Sequence, residues 1–217
     1  MKLIIWDFDG TLANTKPIIE AGMDYTLRVM GLDPNIKQTW LTYVGLSLED
    51  GAHIVFDNTG INPELVIKTY KTFGHRENEH LIKGFDGIDE LLAELSCLGI
   101  TMAIATSKYR DSLLRQLKML GWEKYFYPLV TPDDVQIGKP NPESIYKCLS
   151  AHNAEPKDAV MIGDTGFDLD MAQRANVASI AVGYGFQSIL SMNNYKPIAC
   201  VNEIFGLREA ILTWSQT

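Results

Sequence analysis

Asp7 and Asp9 stand two residues apart in Asp7-Phe8-Asp9-Gly10-Thr11, directly after the apolar run Leu3-Ile4-Ile5-Trp6. Two carboxylates in such a place can divide their roles, one ionised as nucleophile or metal ligand, the other carrying a proton to a leaving group. Side chains alternate along a strand, so the pair converges only if the chain turns between them, and Gly10 permits that turn. The same residues also compose an ordinary capped strand-to-helix loop, since Asp, Gly and Thr are common in turns. A second acidic group, Gly163-Asp164-Thr165-Gly166-Phe167-Asp168, follows the apolar run Ala159-Val160-Met161-Ile162. Clustered carboxylates are hard oxygen donors suited to Mg²⁺, which takes one or two of them while keeping waters and substrate phosphate oxygens. Asp164 or Asp168 could instead N-cap the next helix. Two acidic strand ends in one sheet nevertheless repel each other and call for a cation.

Thr106 and Ser107 end a third apolar run, Ile100 to Ala105. A hydroxyl and exposed N–H groups at a helix start suit a phosphate, and equally a plain N-cap. Lys139 lies in Ile137-Gly138-Lys139-Pro140-Asn141-Pro142, a loop that its Gly and Pro residues stiffen. A lysine so held, beside carboxylates and a phosphate site, could neutralise charge developing in phosphoryl transfer, although most lysines are solvated surface groups. His53, His75, His80 and His152 show no metal-ligand spacing and take no role. Cys97, Cys148 and Cys200 form no C-x-x-C pair, which fits a reduced, cytoplasmic setting.

These residues need elements to position them. Three times the chain runs from an apolar strand through a polar loop into a helical pattern, as where Leu113, Leu114, Leu117 and Leu120 follow the strand at 100–105. That order predicts an α/β fold, a Rossmann-like parallel sheet whose strands' carboxyl ends form a binding crevice. The stretch 13–83 differs, with helical patterns over Ile18 to Met30, Leu46 to Phe56 and Pro63 to Phe73, and no apolar strand. It reads as an all-helical cap domain inserted at 13–83, the α/β core being formed by 1–12 and 84–217. Within it, Thr42 to Glu49 is either a substrate-facing loop, with Gly45 letting backbone approach closely, or a simple helix-to-helix turn. Lys16, His75 and Arg76 could reach a substrate carboxylate or sugar.

The chain has 217 residues, 46% hydrophobic and 21% charged, an ordinary globular composition. Its 19 Lys and Arg against 27 Asp and Glu leave a formal charge of −8, which argues against coating a nucleic-acid polymer. No apolar run approaches the roughly 18 residues of a membrane span. The expectation is a cytoplasmic protein without nucleic-acid or membrane partners, monomer or homodimer, acting on a small molecule.

Taken in order, these segments resemble the haloacid dehalogenase-like hydrolase superfamily over nearly the whole chain. Its D-x-D-G-T motif is matched by Asp7 to Thr11, its strand-end Thr by Thr106, its K-P-x-P by Lys139 to Pro142, and its G-D-x-x-x-D by Gly163 to Asp168. The helical insert further resembles the capped, phosphoglycolate-phosphatase-like branch. The resemblance implies a Mg²⁺-dependent phosphatase acting on a small phosphate ester. Asp7 would be its nucleophile, Asp9 the acid and base, and Thr106 and Lys139 catalytic. Gly10, Thr11, Thr106, Ser107, Lys139 and Gly45 would bind substrate, and Asp7, Asp9, Asp164 and Asp168 the metal, the last from behind the other ligands or through water. A sugar phosphomutase or a pyrophosphatase on the same scaffold is the alternative. A receiver-type signalling domain, which also handles an aspartyl phosphate, is disfavoured by Asp9 and by the insert.

Overall fold

The computed structural model describes residues 2–73 and 78–216. The chain opens with β1 (Leu3–Trp6) and passes through the short β2 (Ala13–Asn14). Among the described residues four helices follow, α1 (Lys16–Met30), α2 (Ile36–Leu41), α3 (Leu48–Phe56) and α4 (Pro63–Thr72), and the chain returns through β3 (Lys83–Gly84). It then alternates through α5 (Ile88–Cys97), β4 (Thr101–Ala105), α6 (Arg110–Leu120), β5 (Leu129–Val130), α7 (Glu143–His152) and β6 (Ala159–Gly163). It ends with α8 (Gly166–Arg174), β7 (Ala178–Val182), α9 (Ile189–Met192), β8 (Ala199–Val201) and α10 (Ile204–Ser215).

Six strands form one parallel sheet in the order β5-β4-β1-β6-β7-β8, so β1 lies inside it between β4 and β6. Strand alternation sends the β1 side chains to opposite faces. Ile4 and Trp6 join a core with Leu91, Leu95, Leu117 and Ile211 from α5, α6 and α10. Leu3 and Ile5 join another with Ile145, Leu149 and Met171 from α7 and α8. Burial on both faces explains why β1 and β6 read as continuous apolar runs rather than alternating ones. The α/β architecture and the strands expected at the three apolar runs are present. Sequence reasoning missed β7 and β8, where Ser179 interrupts one run and Ala199–Val201 is only three residues long. It also passed over α2, six residues long and too short to show a helical period.

The helices α1 to α4 surround a core of their own, in which Trp40 meets Phe56 edge-on at 5.5 Å and packs on Tyr70 at 5.6 Å. Truncating a fully buried aromatic such as Trp40 or Phe56 to Ala costs about 3–5 kcal/mol. The two passages between this helical layer and the sheet run side by side, because β2 and β3 pair antiparallel, Ala13 opposite Gly84 and Asn14 opposite Lys83. Among the described residues, no helix is long and apolar enough to cross a membrane.

Candidate active site

Register brings the chemistry together. Trp6 pairs with Ile104 on one side and Ile162 on the other, so the three strands end level with one another. Asp7 then leaves β1 with its N–H on the Ile162 carbonyl at 2.9 Å, Thr106 leaves β4, and Asp164 leaves β6. Gly10 has a φ of +83°, and a Cβ there would stand 2.4 Å from Asp164 Oδ2, so the turn after Asp9 packs directly on the second acidic loop. Thr11 Oγ1 donates to Asp164 Oδ1 at 2.9 Å, and the Phe186 N–H donates to Asp164 Oδ2 at 2.7 Å.

Lys139 is buried at the centre of this arrangement. Its Nζ lies 2.5 Å from Asp7 Oδ1 and 2.6 Å from Asp168 Oδ1. Asp168 sits one turn into α8, where its Oδ2 accepts from the Thr165 N–H at 3.1 Å and from Thr165 Oγ1 at 2.7 Å, a capping box. The sequence left the N-cap position open to Asp164 or Asp168; Thr165 occupies it, and Asp168, three residues on, completes the capping box while also holding Lys139. Burial works against the Lys139 ammonium, but Asp168 and Asp7 outweigh it and raise its pKa. Burial pushes the Asp7 carboxyl up to about 7 despite the pull of Lys139. Burial, with the charges of Asp7 and Asp168, likewise raises Asp164 well above the usual carboxylate range.

Asp7, Asp164 and Asp168 each offer a carboxylate oxygen within 4.8 Å of the others, and all three residues are buried. Of these three carboxylates the Lys139 ammonium pairs with Asp7 and Asp168, and full ionisation of the group leaves a buried excess of negative charge. A hard divalent cation such as Mg²⁺ fits both that charge and those donors.

A cleft of about 310 Å³ opens between the sheet's carboxyl edge and the helical layer, lined by Asp7, Asp9, Thr106 and Ser107 from one side and by Trp40, Tyr43 to Leu48 and Tyr70 from the other. Thr106 and Ser107 also line a neighbouring cavity that reaches Lys139. Thr106 Oγ1 accepts from the Lys108 N–H at 3.2 Å, so it does cap its own turn. The 42–49 loop is a helix-to-helix turn that also lies on the wall of the cleft. Ser47 N-caps α3 by accepting from the Asp50 N–H at 3.0 Å, as in a plain turn, while the same loop walls the cleft. Gly45 adopts a φ of +112°, and its carbonyl accepts from Ser107 Oγ at 2.7 Å. Gln187 Nε2 donates to the Thr42 carbonyl at 3.4 Å beside it, so the helical layer is latched onto the strand ends. Lys16 is exposed and away from the cleft lining, and His75 and Arg76 lie outside the described residues.

Two groups at the site escaped sequence reasoning. Lys108 Nζ lies 2.9 Å from Asp9 Oδ1, and the Gly183 to Phe186 loop after β7 supplies the N–H on Asp164. The only sequence signal for the latter is a glycine-rich run after an unread strand, and Lys108 differs from other lysines only in standing two residues after Thr106.

Comparison with known proteins agrees with this geometry. The family model described as haloacid dehalogenase-like hydrolase matches residues 4–182. A pyrophosphatase PpaX from Bacillus pumilus (strain SAFR-032) is 31% identical over 200 residues, covering 91% of this chain and 90% of its own. That of Bacillus cereus (strain Q1) is 30% identical over 197 residues, with the same coverage. Among solved structures, a predicted phosphatase from Clostridium acetobutylicum superposes with a TM-score of 0.86 at 25% identity, covering 98% of both chains. A predicted phosphoglycolate phosphatase from Haemophilus somnus 129PT has a TM-score of 0.85 at 21% identity, covering 98% of this chain and 97% of its own, and so shares the fold. With four motifs gathered on one sheet edge and a family match across most of the chain, this protein belongs to the haloacid dehalogenase-like hydrolases.

Proposed function

We propose that this protein is a Mg²⁺-dependent phosphatase that cleaves a small phosphorylated metabolite through an aspartyl phosphate on Asp7. The observation that carries the reading is the buried Asp7 carboxylate at the end of β1, held by Lys139 at 2.5 Å and open to a cleft that Asp9 also lines. An Asp7 oxygen would attack phosphorus as the bond to the leaving oxygen breaks, and Asp9 would give that oxygen a proton. Asp9, then a carboxylate, would take a proton from the water that attacks the aspartyl phosphate, releasing inorganic phosphate and restoring Asp7. Thr106, the Ser107 N–H and Lys139 would hold the transferring group and offset its charge, with Gly10 and Thr11 shaping the floor of the site. Asp7, Asp164 and the Asp9 carbonyl would hold Mg²⁺, which when bound offsets carboxylate–phosphate repulsion; Asp168 would orient this set through Lys139 and reach the ion through water.

Residues 13–83 would act as a cap over residues 1–12 and 84–217, excluding bulk water when closed. The latch between Gly45 and Ser107 supports that reading. The names of the Bacillus relatives favour pyrophosphate as one substrate. Gly163, in place of the Glu that phosphomutase-like sequences carry before the motif Asp, favours release of phosphate over its return to a sugar. The test is Asp7→Asn assayed with Mg²⁺ for phosphate release from pyrophosphate and aryl phosphates. A loss of about 10³-fold or more is expected, and an unchanged rate would remove the nucleophile assignment.

A further inference from the structure

The reaction described above does not use Lys108, yet this ammonium is built into the cleft. Its side chain is 12% exposed, its Nζ lies 2.9 Å from Asp9 Oδ1 and 5.7 Å from the Phe8 ring centroid, and its backbone N–H is fixed on Thr106 Oγ1. The pair with Asp9 is a charge contact and not an aligned hydrogen bond, since Asp9 Oδ1 is buried without a hydrogen-bond partner. Donor capacity of the ammonium is thus left over on the side of the cleft. Among the described residues, the other cations lining the cleft are engaged in hydrogen-bonded pairs, Lys71 with Glu49 at 2.7 Å and Arg115 with Glu79 at 3.0 Å. The facing wall is largely apolar, with Ile18, Met23, Trp40, Val44 and Leu46.

Asp9 stands where the leaving oxygen departs, so an ammonium in contact with it lies beside whatever that oxygen carries. An anion entering this cleft would lose water against the apolar wall and needs a cation to replace it. We propose that Lys108 is a specificity-determining residue that binds a second anionic group, carboxylate or phosphate, on the leaving-group part of the substrate. This rests on the phosphatase reading with Asp7 as nucleophile. Binding replaces the loose contact with Asp9 by charge-assisted hydrogen bonds to the substrate, which are the stronger kind.

The test compares wild type, Lys108→Met and Lys108→Arg on three substrates with Mg²⁺: pyrophosphate, phosphoglycolate and phenyl phosphate. The first two carry a second phosphate or a carboxylate on the leaving side, and the third carries a neutral ring. In Lys108→Met, kcat/KM for the preferred doubly anionic substrate should fall about 30-fold or more, mainly through KM, against about threefold or less for phenyl phosphate. Lys108→Arg should recover most of the loss. Which of the two doubly anionic substrates suffers identifies the anion as phosphate or carboxylate. Equal losses on all three substrates would overturn the proposal, making Lys108 a support for Asp9 alone, and phenyl phosphate turnover in the same preparation shows that the variant is folded. A wild type indifferent to the second anion would also overturn it while leaving the phosphatase reading intact. Phosphate release from none of the three, or release that survives Asp7→Asn, would sink that reading itself.

Discussion

Thr11 Oγ1 donates a 2.9 Å hydrogen bond to Asp164 Oδ1, joining two loops whose residues are 153 positions apart. The bond, with the Phe186 N–H on the other oxygen, fixes the direction in which Asp164 presents its remaining lone pairs. Partners that orient a metal ligand typically matter to affinity by 10–100-fold. Thr11→Val should therefore weaken Mg²⁺ binding by about tenfold. Titration calorimetry on both proteins checks this, and equal affinities would show that Asp164 is held without Thr11.

Lys139 is the cation on which both Asp7 and Asp168 depend. Removing one partner of a buried ion pair strands the other charge, so Lys139→Met should cost about 3–5 kcal/mol of stability in the metal-free protein. Urea unfolding in the presence of a chelator measures the loss. Added Mg²⁺ should return part of it, because the ion supplies positive charge to the same carboxylates.

Metal-free stability should also depend on pH in a definite direction. Burial raises Asp7 to about 7 and raises Asp164 as well, whereas both would titrate near pH 4 in an unfolded chain. Between about pH 4 and pH 7 the folded protein then binds more protons than the unfolded one, and stability falls as pH rises through that window. In a chelator, Tm should drop between about pH 5 and pH 7, and saturating Mg²⁺ should flatten the profile. A metal-free Tm that rises with pH would contradict the burial of ionisable Asp7 and Asp164.

Gly45 has no room for a side chain. A Cβ there would approach Thr165 Oγ1 at 2.7 Å and Thr165 Cγ2 at 3.0 Å, and its φ of +112° is strained for any other residue. Gly45→Ala should cost about 1–3 kcal/mol in the latched form and push the helical layer off the strand ends. The readout is a raised KM with a lower Tm. Ser107→Ala, which removes only the 2.7 Å bond to the Gly45 carbonyl, should raise KM by a smaller factor.

What the sequence determined about this protein was its local periods and its punctuation. The apolar runs ending in Asp7, Thr106 and Asp164 specify doubly buried strands that deliver polar residues, and a parallel sheet puts such ends on one edge. The helical pattern between Ala13 and Lys83 specifies a separate layer, since no strand there could extend the sheet. Tertiary structure decided everything that depends on register and on approach across the cleft. Lys139 reaches Asp7 across 132 residues, Ser107 meets Gly45 across 62, and the Phe186 N–H comes onto Asp164 from beyond β7. Lys108 is the sharpest case. Its place two residues after Thr106 does not by itself separate it from a solvated lysine, and only the turn after β4 and the closeness of Phe8 and Asp9 take its ammonium out of water. A period of two or 3.6 residues reports which face of an element is buried. Contacts between distant loops are set by how the faces of different elements pack, and one segment's pattern does not encode that.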